Sequence, residues 1–373
     1  MMPPIPTPTL QATCLNHLYE HRLLRDVVDR SALSTIFFLP GSQYAAYSEE
    51  CQRLHYYEAA NITECKVTHP PTEMADIQGK PDPAAKEIIN RLLAETGQAS
   101  RYSTDVPDEL WELMVPFLVP LVRTKSGGSP QTPLRTMING IFYRTKTGCQ
   151  WELLPKHFGS KSSVHEFYQK LNSTGILEKI LALVSLYYEA IGGYDFTWQS
   201  ADGSIVQAPA RAKMDAAEGF GANPTDRRRK GTKFHVRCDA NGVPIAIEIT
   251  GANTHDSQIL EANFQNIFAP FKNLESPLDG EPHNICLDSA YVGQKVAECM
   301  AQHLLYIHVR PRNEEIKEKD EFPPRRWVVE RLIAWLKGFR CIRTRYTCYL
   351  QNFIGDFRLA SIRIIWRKIV KAI

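Results

Sequence analysis

The spacing of hydrophobic and polar positions changes along this chain and divides it into regions. From about residue 105 apolar residues recur at helical spacing, as in "DELWELMVPFL", and a series of such segments continues to about residue 192. After Gly193 the apolar runs become short and β-like, in the predicted order β-β-β-α-β-α-β-α. This order predicts an α/β fold, in which a mixed sheet begins with an antiparallel meander and carries helices packed on it.

Individual segments support this order. The first predicted strand is "YDFTWQSADGSIVQA", and "KFHVRCDANGVPIAIEIT" predicts two strands joined by a hairpin at Asn241 and Gly242, with Asp239 in the turn before it. Further strands are predicted in "HNICLDSA" and "YIHVRP". Residues 1–104 lack clear periodicity, so the predicted organisation is a poorly defined N-terminal extension (1–104), a helical domain (105–192) and an α/β domain (193–373).

The last predicted helix, "RRWVVERLIAWLKGFR", has two distinct faces. Its apolar stripe consists of Val328, Val329, Leu332, Trp335, Leu336 and Phe339, and its polar stripe of Arg326, Glu330, Lys337 and Arg340. Glu330 is a lone carboxylate among cations. Either it forms an ordinary i, i+4 surface pair with Arg326, or it is directed at a functional site.

Composition excludes several classes of protein. With 373 residues, 43% hydrophobic and 23% charged, the chain is ordinary for a globular protein with two sizeable cores. Its nine cysteines form no C-x-x-C pair, which argues against a zinc site or a disulfide framework. The proline-rich start lacks a cationic n-region, and no apolar run is long enough to span a membrane. We therefore expect a cytoplasmic protein with reduced thiols.

The C-terminal segment is strongly basic. Residues 323–373 contain twelve Lys or Arg against two acids, Glu330 and Asp356, a balance of 12 − 2 = +10, and many aromatic residues lie between these charges. A solvated basic face is the ordinary explanation of such a segment. The mixture of basic and aromatic side chains favours a phosphate backbone as its partner.

One helix of the helical region has a polar N-terminal end. Ser163 and Glu166 have capping-box spacing, and Lys161, Ser162 and His165 lie at the same end. A helix with small polar and basic residues at its N-terminus, after a short helix and turn, suits insertion into a DNA major groove. An ordinary small helical domain capped by serine is the alternative.

Three carboxylates lie where the predicted fold brings distant segments together. Asp202 lies within the first strand, Asp288 ends the fourth, and Glu330 lies on the last helix. The first and fourth strands are neighbours when a crossover helix returns the chain across the sheet. Clustered carboxylates need compensating cations, and two Mg²⁺ ions held by them would suit phosphodiester displacement.

Five motifs, in one order, carry a family resemblance: "ADGSIVQAP", "GANPTDRRRKGTK", "ITGANTHDSQ", "CLDSAYVG" and "RRWVVERLIAWLKGFR". With them, residues 105–370 resemble bacterial insertion-sequence transposases of the DDE type, close to the insertion-sequence-five group, whose catalytic domain has the ribonuclease H-like fold. The resemblance implies a catalytic, metal-binding triad of Asp202, Asp288 and Glu330. Arg326, Glu330 and Lys337 fit the spacing of a Tyr-Arg-Glu-Lys signature of related transposases, but Pro323 occupies its tyrosine position.

The resemblance implies an enzyme that binds the terminal inverted repeats of its element, cleaves there with Mg²⁺ (Mn²⁺ as substitute), and joins the freed 3′-hydroxyl to target DNA. It also implies a homodimer at paired ends, located at the bacterial nucleoid. An inactive DNA-binding remnant and a nuclease without strand transfer are the alternatives. His255 and Asp256 resemble a recurrent Thr-His-Asp, for which a helix N-cap is the simpler explanation. The predicted DNA contacts are Lys161, Ser162, His165, Arg227, Arg228, Arg229, Lys230, Lys233, Arg326, Lys337, Arg340, Arg343 and Arg345.

Overall fold

The computed structural model describes residues 83–95, 101–123, 130–209, 215–269, 271, 274, 283–288, 291, 293–309 and 325–372. These residues belong to two compact units. One contains the described parts of 83–100 and 106–135, and the other contains 101–105 and the described residues from Thr136 onward. Residues 1–82, for which no regular pattern is predicted, lie outside the described residues.

The first unit is built around two helices, α1 (Pro83–Leu93) and α2 (Asp108–Leu118), and α2 continues into a 3-10 turn. Ile89 and Leu92 of α1 are buried, and the indole N–H of Trp111 on α2 donates a 3.0 Å hydrogen bond to the Leu92 carbonyl. The α1 helix lies inside the predicted extension, within its helical piece "PAAKEIINRLLAET", and forms part of the packing of α2.

The second unit begins with a helical segment. Helix α3 (Leu134–Thr147) is followed by α4 (Lys161–Ser173) and α5 (Ile176–Ala190). The predicted capping box is wrong, because the N-cap of α4 is Ser160, whose Oγ accepts a 3.1 Å bond from the Ser163 N–H. Glu166 instead pairs with Lys170 one turn further along the helix.

The sheet contains six strands, β1 (Trp198–Gln207), β2 (Gly221–Ala222), β3 (Lys230–Cys238), β4 (Pro244–Gly251), β5 (His283–Leu287) and β6 (Leu305–Val309). The order is β2-β3-β1-β5-β6, and β4 pairs with β3. Strands β1, β3 and β4 form an antiparallel meander, whereas β1, β5 and β6 run parallel. This is the predicted mixed sheet, with strand order and directions expected of the ribonuclease H-like fold.

Helices cover both faces of this sheet. They are α6 (Asp256–Gln265), α7 (Gln294–Gln302), α8 (Arg326–Lys337), α9 (Arg340–Arg343) and α10 (Leu350–Ala372). One core lies between the meander and helices α8 and α10, and includes Phe234, Val236, Leu332 and Phe357. A second core lies between β1, β5 and helices α6 and α7. The predicted apolar stripe of α8 is confirmed, because Val328, Val329, Leu332 and Leu336 are buried.

Helix α10, which the pattern did not predict as a separate element, joins the helical segment to the sheet. Its Asp356 is 1% exposed and accepts from Arg144 Nη1 (3.0 Å) on α3 and from the Tyr168 hydroxyl (3.1 Å) on α4. Arg358 pairs with Glu178 on α5 at 2.7 Å. The boundary predicted at residue 192 therefore does not separate two compact units, because α4 and α5 pack on a helix of the sheet's own core.

The described part of the chain contains no helix long and apolar enough to cross a lipid bilayer.

We expect a truncated chain that begins at residue 80 to keep the stability of the first unit, and one that begins at Thr104 to lose it. The second truncation removes Ile89 and Leu92 and exposes the ring of Trp111, and each large apolar side chain contributes about 1.5–3 kcal/mol when buried. Thermal unfolding and size-exclusion chromatography of the two chains measure the difference. Equal melting curves would show that α1 contributes nothing to the packing of α2.

Candidate active site

The sheet places the three predicted carboxylates at one position. Asp202 lies in β1, and Asp288 follows the last residue of β5, which runs parallel to β1 as its neighbour. Glu330 lies in the second turn of α8, the helix that packs across β1 and β3. The structure thus brings together the side chains predicted from distant parts of the sequence.

The guanidinium group of Arg326 contacts all three carboxylates. Its Nη1 lies 3.0 Å from Asp288 Oδ1, and its Nη2 lies 3.6 Å from Asp202 Oδ2 and 3.4 Å from Glu330 Oε1. The i, i+4 pair of Arg326 and Glu330 therefore exists, as the simpler explanation requires. It is one contact of a four-residue cluster, however, and not an isolated surface pair.

Exposure decreases from Glu330 to Asp202. The Glu330 side chain is 56% exposed, that of Asp288 is 30% and that of Asp202 is 17%. Burial raises the pKa of the Asp202 carboxyl, and Asp288 raises it further, whereas the Gly203 N–H and Arg326 oppose the shift. The cluster is therefore open to solvent on the Glu330 side. At Asp202, the charge of Arg326 does not fully compensate the effect of burial on the carboxylate.

The donor set fits a hard divalent cation. Carboxylate oxygens are the ligands that Mg²⁺ and Mn²⁺ prefer, and Arg326 supplies positive charge at the point where such an ion would supply it. Among the described residues, no three His, Cys, Asp or Glu side chains form a group that is ready to hold a metal ion.

A second polar cluster lies directly behind Asp202, and we call it the Asp256 network: Tyr291, His235, Asp256 and Lys233. Asp256 Oδ1 lies 2.8 Å from both His235 Nε2 and Lys233 Nζ. The Tyr291 oxygen lies 3.0 Å from His235 Nδ1. Burial alone would raise the pKa of Asp256, but the contacts with His235 and Lys233 outweigh it and lower the pKa to about 2.

The Asp256 network corrects one predicted DNA contact. Lys233 is 12% exposed on β3, and its ammonium group also donates to the Thr254 carbonyl at 3.2 Å, so its charge is used inside the protein. Sequence reasoning missed His235 and Tyr291. One signal was available, because Lys233, His235 and Arg237 alternate with apolar residues along β3 and so place three polar side chains on one covered face of the sheet.

The predicted basic loop is exposed and has an unusual backbone. Arg227, Arg228, Arg229 and Lys230 are all exposed. Arg227 and Arg228 have φ angles of 46° and 58°, in the left-handed region that non-glycine residues seldom adopt. The loop is held by the Asn223 N–H, which donates to the Arg229 carbonyl at 2.8 Å. A strained backbone that directs arginines into solvent is consistent with a binding element.

The predicted recognition end of α4 is partly engaged within the protein. Lys161 and Ser162 are exposed, and Lys161 forms an ion pair with the equally exposed Glu152. The ring of His165 lies 4.8 Å from that of Trp151, and burial, followed by the charge of Arg144, lowers the pKa of His165.

The C-terminal cations divide into exposed and buried groups. Arg340 and Arg343 are exposed, and burial lowers the pKa of the half-buried Lys337. Arg345, in contrast, is 1% exposed and donates to Thr232 Oγ1 and to the Glu218 carbonyl, both at 2.7 Å. The prediction that Arg345 contacts DNA is wrong, because its guanidinium is enclosed by the protein that it stabilises.

Asp239 occupies the predicted hairpin turn. Its carboxylate accepts from the N–H groups of Asn241 (3.1 Å), Val243 (2.7 Å) and Asp195 (3.1 Å), and burial raises its pKa to about 7. Asp239 is therefore a buried structural carboxylate at the end of β3, separate from the three at the site.

We expect Arg345→Ala to lower the free energy of unfolding by about 2–5 kcal/mol, because several buried acceptors lose their donor at once. Chemical denaturation of the full chain measures this loss. Arg343→Ala is the matched control, and since Arg343 is exposed, its effect should stay within about 0.5 kcal/mol. Equal stability of the two variants would show that the Arg345 side chain contributes no more to stability than an exposed cation does.

Asp256 should make stability depend on acid pH. Its pKa of about 2 lies below the ordinary value of 3.8, so its contribution is present above pH 4 and is lost as the pH falls from about 4 to about 2. The difference in free energy of unfolding between the wild type and Asp256→Asn should therefore be constant above pH 4 and shrink below it. Denaturation series at several pH values test this, and a difference independent of pH would contradict it.

Two protein-family profiles match the sequence of this chain. The profile of the family described as "Putative transposase of IS4/5 family (DUF4096)" matches residues 106–181, and that described as "Transposase DDE domain" matches residues 199–365. The second range contains Asp202, Asp288 and Glu330.

Individual relatives agree with these profiles. The "Putative transposase for insertion sequence element IS402" of Burkholderia cepacia is 31% identical over 153 residues, which cover 41% of this chain and 71% of that protein. The "Insertion element IS402 uncharacterized 16.2 kDa protein" of the same organism is 30% identical over 108 residues, which cover 28% of this chain and 73% of that protein. A solved structure, "Crystal structure of a pre-cleavage Mos1 transpososome", aligns over 99% of this chain and 98% of its own at 10% identity, but its TM-score of 0.22 is too low to support a conclusion. On the two profiles and the two relatives, the chain belongs to the DDE transposases of bacterial insertion sequences.

Proposed function

We propose that this transposase binds the terminal inverted repeats of its element, cleaves the DNA there in a metal-dependent reaction, and transfers the freed 3′-hydroxyl to target DNA. The convergence of Asp202, Asp288 and Glu330 on the single cation Arg326 carries the proposal. Three acidic side chains from separate segments repel one another, and a fold that nevertheless collects them has a use for a strong concentration of negative charge.

Asp202, Asp288 and Glu330 are proposed to hold two Mg²⁺ ions, with Mn²⁺ as a substitute. Such ions, held by these residues, would supply the positive charge that favours the attacking and leaving oxygens of an in-line displacement at phosphorus. Bound divalent ions would replace Arg326 as the positive charge between the three carboxylates. We therefore propose that Arg326 leaves the carboxylates for the DNA backbone when the site is loaded.

The exposed cations are proposed to hold the DNA. The exposed or half-exposed basic and polar side chains in question are Lys161, Ser162 and His165 at α4, Arg227, Arg228, Arg229 and Lys230 in the strained loop, and Arg326, Lys337, Arg340 and Arg343 along the last helices. The α4 end suits recognition of the terminal repeats, since it presents small polar groups at a helix N-terminus. The other cations suit contacts with backbone phosphates that carry little sequence preference.

Two further parts of the proposal rest on the resemblance to related transposases. The active species at paired ends is proposed to be a homodimer, and its place of action the nucleoid. A DNA-binding remnant and a nuclease without strand transfer remain the competing functions. Labelled duplex carrying the DNA that flanks the reading frame, incubated with the protein and Mg²⁺, distinguishes cleavage with joining from binding alone and from cleavage alone.

Each of Asp202→Asn, Asp288→Asn and Glu330→Gln should abolish cleavage while DNA binding survives. Every substitution preserves shape but removes a charge that holds the cation, and each 1.36 kcal/mol lost from transition-state stabilisation lowers the rate tenfold. The three variants should be similarly inactive, because they disable one shared site. Cleavage rates and gel-shift affinities measured on the same duplex test both statements.

Glu261→Gln is the matched control for Glu330→Gln, because both glutamates are exposed on helices that cover the sheet. The Glu261 variant should cleave at the wild-type rate. Asp239→Asn would not isolate the effect of charge on the cleavage rate, because Asp239 is fully buried and accepts three backbone N–H groups, so its substitution also lowers stability. Robust Mg²⁺-dependent cleavage by Glu330→Gln would reduce Glu330 to a surface partner of Arg326.

A further inference from the structure

The Asp256 network crosses the sheet at the residue next to Asp202. Gly203 lies opposite His235 in the antiparallel register of β1 and β3. A Cβ atom at Gly203 would lie 2.6 Å from Asp256 Oδ1 and 2.8 Å from His235 Cε1. Only a glycine at this position leaves room for the two side chains to meet behind the strand.

The network also reaches the segment that carries Asp288. The Tyr291 N–H donates a 2.9 Å bond to the Asp288 carbonyl. The Tyr291 ring is 2% exposed, and its oxygen lies 3.0 Å from His235 Nδ1. Tyr291 thereby connects Asp288, at the end of β5, to β3, two strands away.

Proton positions in the network follow from its geometry. The Tyr291 hydroxyl lies 3.0 Å from His235 Nδ1 and can donate its proton to that nitrogen. The ring proton of His235 then lies on Nε2, which faces Asp256 Oδ1 at 2.8 Å. Lys233 approaches the same oxygen and compensates its charge. The four side chains therefore form one continuous cluster, joined by two 2.8 Å ion-pair contacts at Asp256 Oδ1 and by the 3.0 Å contact of Tyr291 with His235.

We propose that the Asp256 network is a positioning device that holds Asp202 and Asp288 at the separation needed to bind divalent metal, and that Asp256 is its central residue. The inference rests on the proposed function, because it assigns these two aspartates to the metal. Asp202 lies on the α8 face of β1, and the network lies on the α6 face at the same point of the strand. The network reaches the two aspartates through the backbone, at Gly203 next to Asp202 and at the Tyr291 N–H that is bonded to the Asp288 carbonyl.

This role separates metal binding from DNA binding. Substitutions that break the contact between Tyr291 and His235 should leave Asp202 and Asp288 at their positions in the chain. The distance between the two carboxylates should then vary more widely. Outer residues that orient metal ligands typically contribute tenfold or more to metal affinity or activity. We therefore expect Asp256→Asn, Tyr291→Phe and Gly203→Ala each to raise the half-saturating Mn²⁺ concentration about tenfold. DNA affinity should stay at the wild-type value.

The experiment titrates Mn²⁺ into each full-length variant and follows free ion by electron paramagnetic resonance, and in parallel it measures cleavage of the labelled duplex against Mn²⁺ concentration. Asp239→Asn is the matched control, because it makes the same chemical change in a buried, hydrogen-bonded carboxylate beyond the end of β3. This control should lose stability but keep the wild-type half-saturating concentration. Tyr291→Phe removes a single oxygen, and it decides the result if Asp256→Asn does not fold.

The outcomes separate this inference from the proposed function. Wild-type half-saturation in Asp256→Asn and Tyr291→Phe, alongside inactive Asp202→Asn, overturns the positioning role only. Normal cleavage by Asp202→Asn overturns the proposed catalytic site itself. An equal shift in Asp239→Asn would show that general loss of stability causes the effect, and it would also overturn the positioning role. Recovery of cleavage by the Asp256 variant at high Mn²⁺ supports it.

Discussion

Three carboxylates cannot lie close together in a partly buried place unless positive charge lies between them, and the architecture of this transposase satisfies that requirement with one arginine. Arg326 reaches Asp202, Asp288 and Glu330 from the first turn of α8. The arrangement works because α8 is fixed on the sheet by its buried apolar stripe, which holds the opposite, charged stripe over β1. The packing of one helix face thus determines the electrostatics of the other.

The position of α8 depends in turn on α10. This helix supplies Phe353, Phe357, Ala360 and Ile364 to the core that α8 shares with the meander. On its other side Asp356 receives Arg144 and Tyr168 from the helical segment, and burying that carboxylate is tolerated because both partners, with Thr145, surround it. Helical segment and sheet are consequently one unit. Helices α4 and α8 therefore both pack on α10, so that a change at α4 is connected to α8 through one continuous helix.

The basic side chains of this protein have two roles: some are exposed to solvent and others stabilise the fold from a buried position. The residue type alone does not distinguish the two. Arg343 and Arg345 differ by two positions, yet the first lies in solvent and the second is enclosed beneath Phe220, whose ring centre is 3.8 Å from its guanidinium carbon. Lys233 and Lys230 differ in the same way along β3. Counting cations therefore overestimates the surface available to DNA, and burial decides which of them can take part.

The local pattern of the sequence by itself determined the strand and helix order, the hairpin at Asn241 and Gly242, the two faces of α8 and the identity of the three carboxylates. Each of these depends on period, turn chemistry or a motif that is contained within one segment. Only the tertiary structure decided that Arg326 contacts all three carboxylates, that Arg345 is buried, and that α1 packs on α2. It also decided that Lys233, His235, Asp256 and Tyr291 meet behind Gly203. These contacts join residues that are far apart in the chain. They depend on strand register and on the space beside Gly203, which has no side chain, and no single segment of the sequence encodes such an arrangement.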